Sequence, residues 1–406
     1  MVLGDGGGYE SDPENLSPAG SDDEIGWSPT AGRKLNERER IALAGSAPPS
    51  AHHEEDDVDE RVYEGGAGSS EAVSRAVALP TTVSFELTSG EALCARFSPQ
   101  GEYFAIGYTS GALSVHSTTS GKQVFQVACE QDQDTPSPVT ALRYRDTLAL
   151  ETKNVVMFAT GDGKLRFWHS TSGNFLGAPI VEENNQIFAV DTPLLGDQIA
   201  TAGLDCNVRV YDVATRKLVH TLAGGSGASG GHTNRVFALK YVDENPAVLI
   251  SGGWDNTVQF WDVRAGQSVR SLYGPSVCGD ALDVSDGTIV TGSHRRFRAL
   301  QAWDFGSGRL LYDIPWLPSK DEDPCFIYSA KMGRSRMKGM VVAGGSESNE
   351  ARLVNVNKDG ALAGRLPKLS STVNAVDFNK SEDLLAVLCK DSCHFVDLRS
   401  QPKRKM

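Results

Sequence analysis

The feature that most restricts what this chain can fold into is a repeat. Seven times, a short strand-like run ends on a bulky residue followed by a small, polar or acidic one. The seven pairs are His116-Ser117, Trp168-His169, Tyr211-Asp212, Trp261-Asp262, Trp303-Asp304, Val354-Asn355 and Val396-Asp397. Successive intervals are 52, 43, 50, 42, 51 and 42 residues. A near-constant period of this length means one supersecondary unit copied along the chain, each copy burying its faces against its neighbours. Each pair is preceded by an apolar run ending near glycine, such as Phe104-Ala105-Ile106-Gly107 or Ile289-Val290-Thr291-Gly292.

The fourth copy is the fullest. In Leu249–Arg264, an apolar run meets Gly252-Gly253, and Asp255-Asn256 supplies turn chemistry. Thr257, Val258, Gln259 and Phe260 then alternate at the period of a half-buried strand. Gly231-His232 lies upstream, with room for one more strand over Val236–Tyr241. With Gly-His before the first strand and Trp-Asp after the third, the sequence resembles the WD-repeat β-propeller family. The resemblance implies an all-β, seven-bladed β-propeller. It also implies a buried structural network joining His232, Ser251, Asp255 and Trp261. The other six copies keep only parts of this signature.

Closure is an independent expectation. A fourth, outer strand follows each of the first six copies: Gln123–Ala128, Phe175–Val181, Leu218–Leu222, Ser268–Tyr273, Leu310–Ile314 and Leu362–Leu366. No strand remains after Asp397, but Thr82–Leu87 stands unused ahead of the first copy. Pairing that N-terminal strand into the last blade removes both free sheet edges. The expected organisation is a disordered acidic tail over 1–72, the propeller over 73–400 and a basic end over 401–406.

Charge supports the first boundary. Residues 1–72 carry 17 acidic and 5 basic side chains, so nearly all of the chain's net charge of −13 lies there. That stretch is rich in Gly, Ser, Pro and acid and cannot bury enough apolar surface to offset its ordering entropy. Within it, Asp22-Asp23-Glu24 precedes Ile25 and Trp27, an apolar spot in an acidic setting. No run approaches the length of a membrane span, and no signal pattern opens the chain. The seven cysteines are scattered and read as buried thiols of an intracellular protein. The expected compartment is the cytoplasm, with the nucleus open through Lys403-Arg404-Lys405.

Function in such a ring belongs to its loops. One face is expected to gather Glu130–Pro138, Glu182–Gln186, Gly224–Arg235, Ser319–Pro324 and the insertion His294–Arg298. The insertion sets three arginines around one aromatic, a composition suited to carboxylates, phosphates or acidic peptides. Trp254, beside the turn aspartate, stands either exposed at the rim or packed on a neighbouring loop. Candidate partner-binding residues are therefore Trp254, Arg235, His294, Arg295, Arg296 and Arg298. No nucleophile, phosphate-loop or metal motif occurs, so neither cofactor nor metal is expected. A propeller domain this close to neutral is not expected to bind nucleic acid.

The leading reading is a non-enzymatic interaction scaffold whose partners are protein segments or a multi-subunit complex. An alternative arises because Leu249–Arg264 also resembles the box of WD-repeat substrate receptors of cullin-type ubiquitin ligases. That resemblance implies adaptor contact through Asp262 and Arg264. A remote alternative is a propeller enzyme with a site in the central channel. It ranks last because Cys94–Phe97, Val139–Leu142, Phe188–Val190 and Val236–Leu239 read as mostly apolar.

Overall fold

The computed structural model describes residues 77–128, 137–146, 153–194, 196–223, 230–316 and 324–399. The expected acidic tail and the basic C-terminal end lie outside the described residues, as do Cys129, residues 130–136 and 319–323 of two expected loops, and the first half, 224–229, of a third.

Seven antiparallel sheets follow one another around a closed ring. The fourth blade shows the plan. Its inner strand Val236–Val242 pairs with Asn245–Gly253, which pairs with Thr257–Asp262, which pairs with the outer strand Gln267–Tyr273. The N-terminal strand Thr81–Glu86 runs antiparallel to Ser392–Asp397 as the outer strand of the seventh blade, so the ring closes as expected. Two details differ from expectation. The second blade's outer strand is split into Asn174–Phe175 and Ile180–Val181. Arg216 of the third blade fills the gap, donating to the carbonyls of Leu176 and Ala178 while lying 4.5 Å over the Phe167 ring. The sixth blade also gains a fifth strand, Val77–Ala78, parallel to its outer strand Ala361–Leu366.

The core is distributed. Seven apolar clusters each join two consecutive blades, including one that joins the seventh to the first. The recurring bulky position explains why. Trp261 packs with Ala189, Ala200 and Val210 of the third blade. Trp303 packs with Ile250 and Phe260 of the fourth, and Trp168 with Leu113 and Val115 of the first. In each case the side chain reaches back into the preceding blade. His116 does the same across the closure, stacking on Phe85 of the closing strand at 4.7 Å. A sheet in this arrangement is buried on both faces, and its stability is inseparable from that of its neighbours.

The closing strand therefore holds an interface as well as a ladder. Deleting residues 1–72 is expected to leave the melting temperature nearly unchanged, because every described element survives. Deletion through residue 90 removes Leu79, Val83 and Phe85 from two apolar clusters and opens the seventh blade's edge. A loss of several kcal/mol of burial should lower the melting temperature by roughly 10 °C or more. Thermal circular dichroism on the two truncations measures both, and equal melting of the two would refute the assignment.

Candidate functional site at the mouth of the central channel

Six inner strands carry a register shift near their start, skipping Leu93, Thr140, Phe188, Phe237, Tyr328 and Asn374. A bulge re-aims the side chain of the extra residue. All six line one cavity of about 100 Å³ at the channel mouth, with Asp280 of the fifth blade as the seventh member. The backbone makes room for the shift: a Cβ on Gly253 would stand 2.4 Å from the Arg235 carbonyl oxygen.

One wall of the cavity is aromatic. Phe188 and Phe237 stack at 4.9 Å and 8°, and Trp254 lies 4.9 Å from Phe237 at 40°. Trp254 is half-buried, with the Arg235 guanidinium 5.4 Å from its ring. The structure thus joins both alternatives for this residue: it packs on a neighbour and lines an opening. His294 stacks on Phe326 at 4.4 Å and approaches Tyr328 of the cavity wall at 6.0 Å. Arg295, Arg296 and Arg298 do not line the cavity. Arg298 sits with its Nε 3.6 Å from Asp313.

The floor corrects the apolar reading of the inner strands. Three residues beyond each cavity position stands a charged one, in blade order Arg96, Arg143, Asp191, Lys240, Asp283, Lys331 and Asp377. Every blade contributes one. The Lys331 Nζ lies 2.8 Å from Asp280, which also receives Arg143 at 3.4 Å and a close contact from Arg96. Asp191 holds the Arg143 Nε at 2.9 Å and faces Lys240 at 3.9 Å. From the turn beyond the sixth inner strand, Arg334 reaches Asp283 and Asp243, each at 2.6 Å. The three ring carboxylates also accept backbone N–H groups of the next blade: Tyr241 on Asp191 (2.7 Å), Met332 on Asp283 (2.8 Å) and Phe97 on Asp377 (2.9 Å). Each acid therefore ties two blades at the axis.

These partners override burial. Burial alone would raise Asp283, yet Arg334 and Lys331 hold its carboxyl far below the usual range. Asp191 is likewise lowered against burial by Lys240 and Arg143. On the cationic side burial acts first and neighbouring cations second. They bring Arg96 down to about 10 and Lys331 well below its ordinary value, Arg143 acting on both.

The four residues expected to form a network are in contact. Trp261 Nε1–H donates to Ser251 Oγ at 2.7 Å, and Ser251 lies 2.7 Å from His232 Nε2. His232 Nδ1 lies 2.8 Å from Asp255, which also accepts from Thr233 N and Thr257 N. One tautomer, with the proton on Nδ1, satisfies every member. The third blade fills the same place with different chemistry, which the sequence reading missed by treating Glu182 as part of a surface loop. Glu182 is buried and accepts from Thr201 (2.5 Å), Tyr211 (3.0 Å), Asn185 (2.6 Å) and Arg209 (3.2 Å). On the opposite face Asp262 accepts the N–H groups of Arg264 and Ala265, and the Arg264 side chain is 79% exposed.

Asp255→Ala is expected to cost a few kcal/mol, and His232→Ala on top of it less than additively, because both serve one buried network. Urea denaturation of the double-mutant cycle measures the coupling, and strict additivity would separate the two residues. The axis predicts acid sensitivity. Depressed carboxylates contribute stability that is complete above their unfolded value of about 4 and is lost as pH falls toward the folded values. Asp283→Asn should lose about 3–5 kcal/mol at pH 7 and show a shallower decline below about pH 4 than wild type. Parallel acid slopes in urea midpoints for the two proteins would contradict this.

Comparison with known proteins adds to the geometry. The family described as WD domain, G-beta repeat, matches residues 217–262, from the third blade's outer strand to the fourth blade's Trp-Asp. The U3 small nucleolar RNA-associated protein 21 homolog of Schizosaccharomyces pombe is 26% identical over 225 residues, 55% of this chain and 22% of that protein. THO complex subunit 6 of Homo sapiens is 23% identical over 187 residues, 43% of this chain and 51% of its own length. The mRNA export factor GLE2 of Chaetomium thermophilum is 24% identical over 152 residues, 36% of this chain and 39% of that protein. The chain thus spans about half or less of each of these relatives. With seven blades closed by the N-terminal strand and the matched repeat running into its fourth blade, the chain is a seven-bladed β-propeller that carries a WD repeat.

Proposed function

We propose that this chain is a non-enzymatic scaffold that receives segments of other proteins at its channel mouth, within a multi-subunit complex. The observation that carries the reading is the aromatic wall of Phe188, Phe237 and Trp254 around an open cavity. Half-buried tryptophan in a rigid concave setting is the usual core of a binding hot spot. The channel's carboxylates are engaged by guanidinium, ammonium and backbone N–H groups, which suits them to holding blades together. The names of the relatives support a nuclear, complex-bound setting, since one is a complex subunit, one is associated with a small nucleolar RNA and one is an export factor.

Trp254→Ala is expected to strip the protein of its co-purifying complex while costing only about 1–2 kcal/mol of stability, the range for a partly buried site. Affinity purification with quantitative mass spectrometry, beside a thermal melt, reads both. Identical partner sets for wild type and variant would refute the channel mouth as the receiving surface.

We propose adaptor contact in a cullin-type ligase only as a second reading, which needs Arg264 to be accessible, and its side chain is exposed on the opposite face. Arg264→Ala should change stability by no more than about half a kcal/mol. On this reading the variant loses the adaptor and keeps channel-mouth partners. Wild-type protein that never recovers the adaptor removes the reading.

A further inference from the structure

The cavity at the channel mouth calls for no charge. Beneath and beside it, the cations Arg96, Arg143, Lys240 and Lys331 stand among four carboxylates, Asp191, Asp280, Asp283 and Asp377. Arg334, farther along, is held by Asp243 and Asp283. The polar side chains of the lining are engaged inside the protein as well. Thr140 Oγ1 donates to the Ile187 carbonyl, Asn374 Nδ2 to that of Ala92 at 2.7 Å, and the Cys94 thiol to that of Val139 at 3.5 Å. A guest charge entering here would lose its water and meet groups that are already paired, which is a net cost.

What the lining leaves unused is apolar surface. Phe188 and Phe237 lie parallel within 8°, Trp254 continues their wall, and Leu93 of the first blade adds a half-buried aliphatic side chain. Water in such a place finds few free polar partners, so its displacement by an apolar group is favourable. Size limits the guest. An enclosed apolar cavity of about 150 Å³ holds one benzene, and this one offers about 100 Å³ and is open on one side.

We infer that the mouth accepts one uncharged side chain of leucine, methionine or phenylalanine size, presented by a segment of a partner protein, laid on the Phe188–Phe237–Trp254 wall and stopping at Asp280. This deepens the function proposed above and rests on the mouth being the receiving surface. Partners are then selected at the mouth by size and apolarity, and not by charge.

The test selects a phage-displayed library of random heptapeptides on the immobilised full-length chain, then measures the fluorescein-labelled consensus peptide by anisotropy. The enriched peptides are expected to share one leucine, methionine or phenylalanine at a fixed position. Replacing that anchor by alanine should weaken binding about tenfold to a hundredfold, the worth of one buried apolar side chain. Replacing it by lysine or glutamate should abolish binding. Affinity should change less than about twofold between about 0.05 and 0.5 M salt, because no ion pair forms. Leu93→Trp, which fills the cavity, should weaken the peptide at least tenfold, with a thermal melt as the folding control. Leu93→Ala, which widens it, should shift the preferred anchor to tryptophan. A charged consensus anchor, a steep salt dependence or the absence of any consensus would overturn the inference. So would wild-type affinity in a folded Leu93→Trp variant, or an unchanged anchor preference in Leu93→Ala. Affinity purification separates this inference from the reading beneath it. A complex lost by Trp254→Ala but kept by folded Leu93→Trp would leave the scaffold and remove the anchored side chain, and a complex kept by both would remove the two together.

Discussion

Everything in this molecule depends on each blade burying both faces against its neighbours. A four-stranded sheet has no core of its own, so no blade is stable alone, and the ring must close before the last interface exists. The bulky residue of each repeat makes that dependence concrete by reaching back into the blade before it, as Trp261 does into the third. Closure repeats the contact with unlike partners, His116 on Phe85. Phe85 arrives from a strand more than three hundred residues away in sequence from its ladder partner Cys393. The longest-range pairing thus completes the seventh interface.

A second layer of order comes from polar chemistry that varies while its geometry stays. In the fourth blade an imidazole relays between a tryptophan-bound serine and an aspartate. In the third, Glu182 meets the threonine and tyrosine at the matching positions directly. In the fifth, Trp303 donates straight to Thr291 at 2.9 Å. In the first, Ser114 is held between Tyr108 and His116. In these four blades a buried hydroxyl, or a carboxylate reaching it, satisfies the bulky residue's polar atom. The Trp168 indole N–H of the second blade, by contrast, is buried without a partner among the described residues, and Val354 and Val396 have no polar atom to satisfy. In the first, third and fifth blades a signature that looks eroded in sequence is replaced in structure by another set of donors and acceptors.

This explains what the sequence made legible and what it hid. The seven bulky positions, the outer strands and the displaced closing strand follow from periodicity and strand count, and the structure has them. The axis was hidden because an apolar run is read as ending where its apolar residues end. Windows closing at Leu142, Val190 and Leu239 each stop one residue short of Arg143, Asp191 and Lys240. Placing the seven repeats in register, three residues beyond each bulge, would have lined the charges up in a column. Glu182 was hidden for a related reason: an acid between strands reads as solvated until the hydroxyls it serves are known. Trp254 was ambiguous for a different one, since a residue at the rim of a cavity is both packed and open.

The bulge is what allows one strand to do both jobs at the axis. Without it, residues three apart would face opposite ways, one toward the channel and one into the ladder. The extra residue shifts the phase, so Thr140 and Arg143, or Phe188 and Asp191, share the channel side. The upper position varies freely from blade to blade, as leucine, threonine, phenylalanine, aspartate, tyrosine and asparagine. The lower position is charged in all seven and spent on joining blades. An axis divided in this way keeps most of its ion pairs one layer beneath the aromatic wall, with Asp280 the upper residue that joins them, so a change at Phe188 or Trp254 leaves the pairs that hold the ring in place.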